Sequence, residues 1–428
     1  MKSILRYILK ILSRAIIKKY HPHVIGITGS VGKTGTKDAI YYILKDKFNV
    51  RQNIKNYNNE IGLPLTIIGE HSAGSDIFGW IIIFFKALKL LIVKDPSYPD
   101  ILILEMGVDK PGDMDYLLGI VHCDIGILTT VGLSHIEFFG SRENIQKEKG
   151  KLIININPDG CAIINYDDDK TRETISWTLA KSLTYGYDQN AAVKAKDEKI
   201  YLDTNQLDQS GMSFIIMYGD KSAEVFVKRT FGLSFVYSIM AATAAGLAMG
   251  LEFNDIIQSL RHYEIPPGRM NIIQGIKGSI IIDDTYNSSP QALTMALKSF
   301  SSVSDKAQRR IAVLGNMLEL GEESKKYHEE IGQSLRNYNI DLLITIGERA
   351  KDFAIGATSA GISQESIHTF ANSDSAGAYL KTIIKEGDYI LAKGSQGARV
   401  ERAVKEIMAE PEKAEILLVR QVNEWKNR

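Results

Sequence analysis

Two hydrophobic periods alternate along the chain. Continuous apolar runs of strand length, HVIGIT (23–28), DILILEMG (100–107) and DIGILTTV (124–131), read as the buried strands of a parallel sheet. A second series, SIIIDD (279–284), RIAVLG (310–315), LLITIG (342–347) and DYILAK (388–393), is separated by helix-length segments and predicts another doubly wound sheet. Between these series, over about 160–230, the short strand candidates CAIIN, SFIIMY and AEVFV alternate with turn residues and suggest a smaller antiparallel layer, followed by an Ala-rich helix over 234–250. EIPPGRM (264–270) stops a helix with two prolines and a glycine, which makes it the strongest domain boundary. The expected fold is α/β: a phosphate-loop central domain over 21–264, with a parallel sheet and the small antiparallel layer, then a Rossmann-like domain over 265–428.

Two stretches break this α/β rhythm. Residues 1–20 hold six basic and no acidic residues, with Lys2, Arg6, Lys10, Arg14 and Lys18 at four-residue intervals. On a helix those five cover an arc of roughly 160°, opposite Ile4, Leu5, Ile8, Leu9, Ile11, Leu12 and Ile16. This pattern fits a helix lying in an anionic membrane surface, and equally one packed on the body with solvated lysines. It is neither a spanning helix nor a signal peptide. Residues 77–93, IFGWIIIFFKALKLLIV, are the most apolar run but are interrupted by Lys86 and Lys89, so they predict a buried or interfacial helix rather than a crossing one.

Composition narrows the function. At 428 residues and 44% hydrophobic composition the chain has room for about two or three ordinary cores. A net charge of +0 and the lack of a basic, aromatic-interleaved patch argue against nucleic acid as a partner. The two cysteines, Cys123 and Cys161, lack metal-ligand spacing and suit a reducing compartment, the cytoplasm.

Chemistry enters at HVIGITGSVGKTGTKDAI (23–40), a strand, a Gly-rich turn and a helix. Gly29 and Gly32 let the backbone bend around phosphate with Ser30 between them, Lys33 offers a point charge, and Thr34 can bind Mg²⁺ at the helix N-terminus. The usual loop spacing puts Gly at position 27, where this chain has Ile27. Glu105 closes one strand, where a carboxylate reaches a metal held by the loop, and His135 follows the next strand in GLSHIEFFGS.

These residues and the motifs around them, ITGSVGKT (27–34), NYNNEIGLPLT (56–66), LEMGVDKPGDM (104–114), GLSHIEFFGS (132–141), EKGK (148–151), PGRM (267–270), DDTYNSSP (283–290), VLGNMLELG (313–321) and LAKGSQGARVE (391–401), resemble the Mur ligases of peptidoglycan synthesis. NNEIGLP, the YN-x-x-P segment and MLELG are similar to the branch that adds D-alanyl-D-alanine. The resemblance implies an ATP- and Mg²⁺-dependent ligase that activates a muramoyl-peptide carboxylate as an acyl phosphate and joins it to a D-Ala-D-Ala-like amine. It implies Gly29, Ser30, Gly32, Lys33, Thr34, Arg269, Asp284 and Asn287 at ATP, and Thr34, Glu105, His135 and Lys149 at magnesium, Lys149 matching a lysine that the family carbamylates. Lys33, Lys149 and His135 are then the catalytic set. Asn58, Asn59 and Glu60, with Lys393, Ser395 and Arg399, are the substrate-binding candidates, the last three where the family gathers peptide carboxylates.

The chain departs from the family at GLSFVYS (232–238), where Ser234, Phe235 and Ser238 stand in the adenine-binding segment G-x-H-N-x-x-N, at Asn316, often Asp in the family, and at Lys151, often Glu. The basic helix stands where the family carries a UDP-binding domain, which points to peripheral contact with the inner face of the membrane and to a monomer. Two other readings remain open: a Mur-like ligase with a different acceptor, such as a lipid-linked precursor, and a catalytically silent nucleotide-binding scaffold at the membrane.

Overall fold

A computed structural model describes residues 2–54, 57–204, 206–303 and 307–421, so Lys55 and Asn56 of the Asn-rich stretch lie outside the described residues. Nine strands form the first sheet: β1 (His23–Thr28), β2 (Val50–Gln52), β3 (Ile101–Glu105), β4 (Cys123–Leu128), β5 (Ile156–Asn165), β6 (Lys181–Gly186), β7 (Val193–Tyr201), β8 (Gly211–Tyr218) and β9 (Lys221–Lys228). Their order is β2-β3-β1-β4-β5-β6-β7-β8-β9. All neighbours up to β7 are parallel, and β7–β9 are antiparallel. The antiparallel strands therefore extend the parallel sheet at its edge, and CAIIN, expected among them, is instead the end of parallel β5.

Six strands form the second sheet: β10 (Asn271–Gln274), β11 (Ile280–Asp284), β12 (Arg309–Gly315), β13 (Leu342–Ile346), β14 (Ile367–Phe370) and β15 (Asp388–Lys393), in the order β10-β11-β15-β12-β13-β14. Only β10 is antiparallel to its neighbour. The near-continuous Ile, Leu and Val of β1, β3, β4, β12 and β13 are buried because helices cover both faces of each sheet. On the first sheet, the helices Lys33–Leu44 and Leu233–Ala248 pack together over one face. The helices Gly62–Ile68 and Arg142–Ile154 belong to the core on the other face. Register sets the site. Ile27 of β1 pairs with Glu105 of β3, so the loop after β1 and the carboxylate ending β3 leave the same carboxyl edge of the sheet.

The N-terminal helix Lys2–Tyr20 packs on the body through Leu9, Ser13 and Ile16. Part of its basic row is already engaged, since Arg6 pairs with Glu60 at 2.6 Å and Lys10 lies 4.6 Å over the Tyr116 ring; Lys19, outside the row, donates through Nζ to the carbonyls of Leu90 and Leu91. Arg14 and Lys18 remain exposed, as do Ile4, Ile8 and Ile11. The apolar stretch folds as the helix Ile77–Ile92, of which only Ile83, Ala87 and Leu90 are buried. Among the described residues, no helix is long and apolar enough to cross a membrane.

Candidate functional site

The loop between β1 and its helix is bent at two glycines with positive φ, Gly29 at 143° and Gly32 at 90°. Its helix makes its first internal bond from Thr36 N to Gly32 O, which leaves the amides of Lys33, Thr34 and Gly35 without helical carbonyl partners. Such amides and the helix dipole favour an anion there. Gly29 also packs tightly against the residues that follow β4, since a Cβ built there would lie 1.9 Å from Thr129 Oγ1. Gly29→Ala is therefore expected to destabilise the fold by roughly 1–3 kcal/mol and to abolish nucleotide binding. Thermal unfolding and nucleotide titration check both effects.

Lys33 folds back over this loop, its Nζ donating to Gly29 O at 2.7 Å. Burial of the ammonium pulls its pKa below the usual lysine range, opposed chiefly by Glu105. Thr34 Oγ1 donates to Glu105 Oε2 at 3.0 Å and accepts from Arg269 of the second half of the chain at 3.1 Å. Glu105 is buried, which alone would raise its pKa. Lys33, then Lys37, the Asn58 amide and Arg269, outweigh that and hold it below the ordinary value. Asn58 Nδ2 donates to Glu105 Oε1 at 3.1 Å, and Asn53 accepts from the Glu105 amide. The result is an ionised carboxylate and a hydroxyl side by side at the mouth of the loop.

His135 sits beyond β4 with a left-handed backbone, φ 62°. Its Nδ1 lies 2.7 Å from Glu319 of the second half and its Nε2 lies 3.4 Å from Asp109. The hydrogen bond to His135 lowers the Glu319 pKa. Lys149, on the helix Arg142–Ile154, is 1% exposed and has no ion-pair partner among the described residues. Burial first, and Lys33 second, push its pKa down to about 7. A buried lysine with so little compensation is neutral enough at physiological pH to act as an amine.

The second half closes the cleft. The Arg269 guanidinium lies 3.8 Å over the Tyr286 ring. Asp284 and Lys393, register partners on β11 and β15, form a buried ion pair at 2.6 Å, and Lys393 also donates to Asn287 O. Ser395 Oγ donates to Ser288 O and accepts from the Leu318 amide. Between the halves is a cleft of about 430 Å³ lined by Ser30, Gly32, Lys33, Thr34, Asn58, Asn59, Glu105, His135, Arg269, Asp284, Asn287, Lys393 and Ser395. A second cavity of about 620 Å³ opens on the other side of Val31 and Gly32, lined by Asn165, Tyr187, Ser234, Tyr237 and Ser238 among others.

Four expected site residues do not line the cleft. Gly29 lies behind the loop, Lys149 is buried, Glu60 is turned to Arg6, and Arg399 is bonded to Glu401 at 2.6 Å. The structure adds Asp109 and Glu319, which flank His135, and Asn53 and Tyr286, which hold Glu105 and Arg269, to the residues that the motifs point to. Asp109 and Glu319 carry a signal in the sequence, since each follows a strand, in LEMGVD and LGNMLE. Among the described residues no three His, Cys, Asp or Glu side chains converge as a ready metal site.

Comparison with known proteins gives two domain matches and a set of similar chains. Residues 27–78 and 87–246 match the Mur ligase middle domain, and residues 268–396 match the Mur ligase, glutamate ligase domain. The UDP-N-acetylmuramoyl-tripeptide--D-alanyl-D-alanine ligase of Bacillus subtilis (strain 168) is 30% identical over 94% of this chain and 79% of its own length. The correspondingly named Escherichia coli (strain K12) protein is 25% identical over 89% of this chain and 76% of its own. A solved MurF ligase from Thermotoga maritima, in complex with ADP, is 28% identical and superposes with a TM-score of 0.77 over 95% of this chain and 84% of that one.

Proposed function

The chain belongs to the Mur ligase family, and on that premise we propose that it is an ATP-dependent ligase of cell-wall precursor synthesis that joins D-alanyl-D-alanine to the carboxylate of a muramoyl peptide. The observation that carries this reading is the convergence of Lys33, Thr34, Glu105 and Arg269 on one phosphate loop. The γ-phosphoryl of ATP passes to a carboxylate oxygen of the acceptor, giving an acyl phosphate and ADP. The dipeptide amine then attacks the acyl carbon, the amide forms, and phosphate leaves with its oxygen while the amine loses a proton. No covalent enzyme intermediate is needed, so the protein contributes position and charge.

In this reading the loop amides, Ser30 and Lys33 cradle the β/γ-phosphates and Arg269 approaches from the second half, with Asp284 and Asn287 beside it. The cavity lined by Tyr187, Tyr237 and Ser238 offers aromatic faces for the base where the family's His-Asn segment is replaced. The donor set fits Mg²⁺, which takes few protein oxygens and keeps its waters: Thr34 with the ionised Glu105, and the carboxylates of Asp109 and Glu319 around His135. Bound there, the metal would neutralise phosphate charge. Lys149, as a carbamate, would add an anion. Asn58 and Asn59 belong to the acceptor side. Glu60, Lys393, Ser395 and Arg399 are assigned to substrate, although all four have protein partners: a peptide carboxylate has to compete with Asp284, Ser288 and Glu401 for Lys393, Ser395 and Arg399, and a substrate amine or N–H with Arg6 for Glu60.

The reading also divides the chain at 20 and 264, supported by the change of sheet between β9 and β10, and places a monomer in the cytoplasm, with residues 1–20 toward the inner face of the membrane. The test is phosphate release from ATP with each substrate alone and with both. Release that requires a muramoyl peptide and D-Ala-D-Ala together supports the ligase. Release with neither, or none under any combination, overturns it.

A further inference from the structure

The helix Ile77–Ile92 has two apolar sides and buries only one. Ile83, Ala87 and Leu90 face the body, while Phe78, Ile81, Ile82, Phe85, Leu88 and Ile92 cover an arc of about 120° on the opposite side. Phe78, Phe85 and Ile92 are 78%, 71% and 80% exposed. The N-terminal helix adds Ile4, Ile8 and Ile11, also exposed. The C-terminal ends of the two helices are tied by Lys19 and Tyr20, which donate to the Leu90 carbonyl at 2.8 and 3.0 Å. A soluble monomer rarely leaves so contiguous an apolar surface to water.

We propose that the outer faces of these two helices form a docking surface for an anionic lipid bilayer, with the helix Ile77–Ile92 supplying the inserting side chains. Charge selects this occupant. Lys89 lies within the apolar arc, Lys94 follows the helix, and Arg14 and Lys18 face outward from the N-terminal helix. All four are exposed, and none has an ion pair among the described residues. Of the acids nearby, Glu70 pairs with Lys86 at 2.7 Å, while Asp76, which caps the helix through the Phe78 amide, and Asp95, which accepts from Ser97 and interacts with Lys89, offset at most two of these four cations. Aliphatic and Phe side chains bordered by an excess of exposed cations suit a headgroup layer, whereas the centre of a protein interface is depleted in lysine. At 16 residues, with Lys86 and Lys89, the helix lies in the interface and does not cross. The row of cations on residues 1–20 is thus the lesser part of the contact. The surface is independent of the ligase assignment, but it lies on the acceptor side of the cleft, since Arg6 of the N-terminal helix holds Glu60 in the Asn58–Glu60 loop.

The experiment is co-sedimentation of the full chain with vesicles of phosphatidylcholine, alone or with phosphatidylglycerol. Binding is expected on the anionic vesicles, weakened by salt, and reduced at least tenfold in Phe78→Glu/Ile82→Glu/Phe85→Glu. Ile416→Glu, at an exposed apolar position elsewhere, should bind like the parent. These side chains are exposed, so the triple variant should keep its melting temperature and nucleotide binding. Phe85→Ser alone, expected to give a smaller loss, serves if the triple variant fails to fold. The proposal is overturned if the full chain stays in the supernatant with anionic vesicles at low salt, or if the triple variant binds as well as the parent. It is also overturned if sedimentation velocity shows that the face closes a dimer, which the triple variant dissociates, and that this dimer ignores lipid.

Discussion

Lys33→Ala is expected to lower the ligase turnover by about 100- to 1,000-fold while changing the unfolding free energy by no more than about 1 kcal/mol. The asymmetry follows from where the ammonium is. Among the described residues its one protein hydrogen bond, to Gly29 O, stays within the loop, and the burial that depresses its pKa offsets what that bond contributes. Removing it relieves a desolvated cation at the same time as it loses a contact. The phosphoryl group in flight has no equivalent replacement, because Arg269 is already committed to Thr34 and Tyr286. A second consequence separates charge loss from misfolding. Lys33 is the largest attractive charge on Glu105, so without it the carboxyl pKa rises, and the acid limb of any residual activity should move to higher pH. Single-turnover phosphate release across pH, together with thermal unfolding, reads both effects. Near-normal turnover in the variant would remove Lys33 from the reaction.

What the sequence makes legible here is element type and strand-end chemistry. Glu105 and His135 stand out because each follows a buried apolar run, and parallel sheets deliver such residues to one edge. Partners are another matter. Nothing local to LAKGSQGARVE says that Lys393 is opposite Asp284, because that pairing is fixed by the register of β11 and β15 across more than a hundred residues. Arg6 meets Glu60 for a similar tertiary reason, whereas Arg399 meets Glu401 only two residues along the chain; each ion pair occupies a side chain that residue type alone offers to substrate. The helix Ile77–Ile92 shows the same boundary from the apolar side. A helix hydrophobic all round reads as core, and only the fold shows that one of its faces meets nothing in the described chain.

Lys149→Ala is expected to lose turnover by about 100-fold or more, with partial recovery when a small carboxylate such as acetate is supplied. The lysine is fully enclosed, unpaired among the described residues, and near enough to Lys33 to be repelled by it. With a pKa pushed to about 7, it presents a neutral amine at physiological pH, and such an amine adds to CO₂ to give a carbamate and release one proton. That exchange replaces a cation disfavoured beside Lys33 with an anion that Lys33 attracts. The pH dependence of stability tests the same environment without any substrate. The unfolded lysine titrates near its ordinary 10.5 and the folded one near 7, so between those values the unfolded state holds the extra proton and stability rises with pH. Below pH 7 both states are protonated and the burden of a buried cation, on the order of a few kcal/mol, is fully present. Lys149→Met keeps the bulk and drops the charge. In CO₂-free buffer it should be more stable than the parent below pH 7, with the advantage shrinking as pH climbs toward 10.5. Equal pH slopes for parent and Met variant would mean that Lys149 is solvated, and full activity of Lys149→Ala without added carboxylate would take it out of the site.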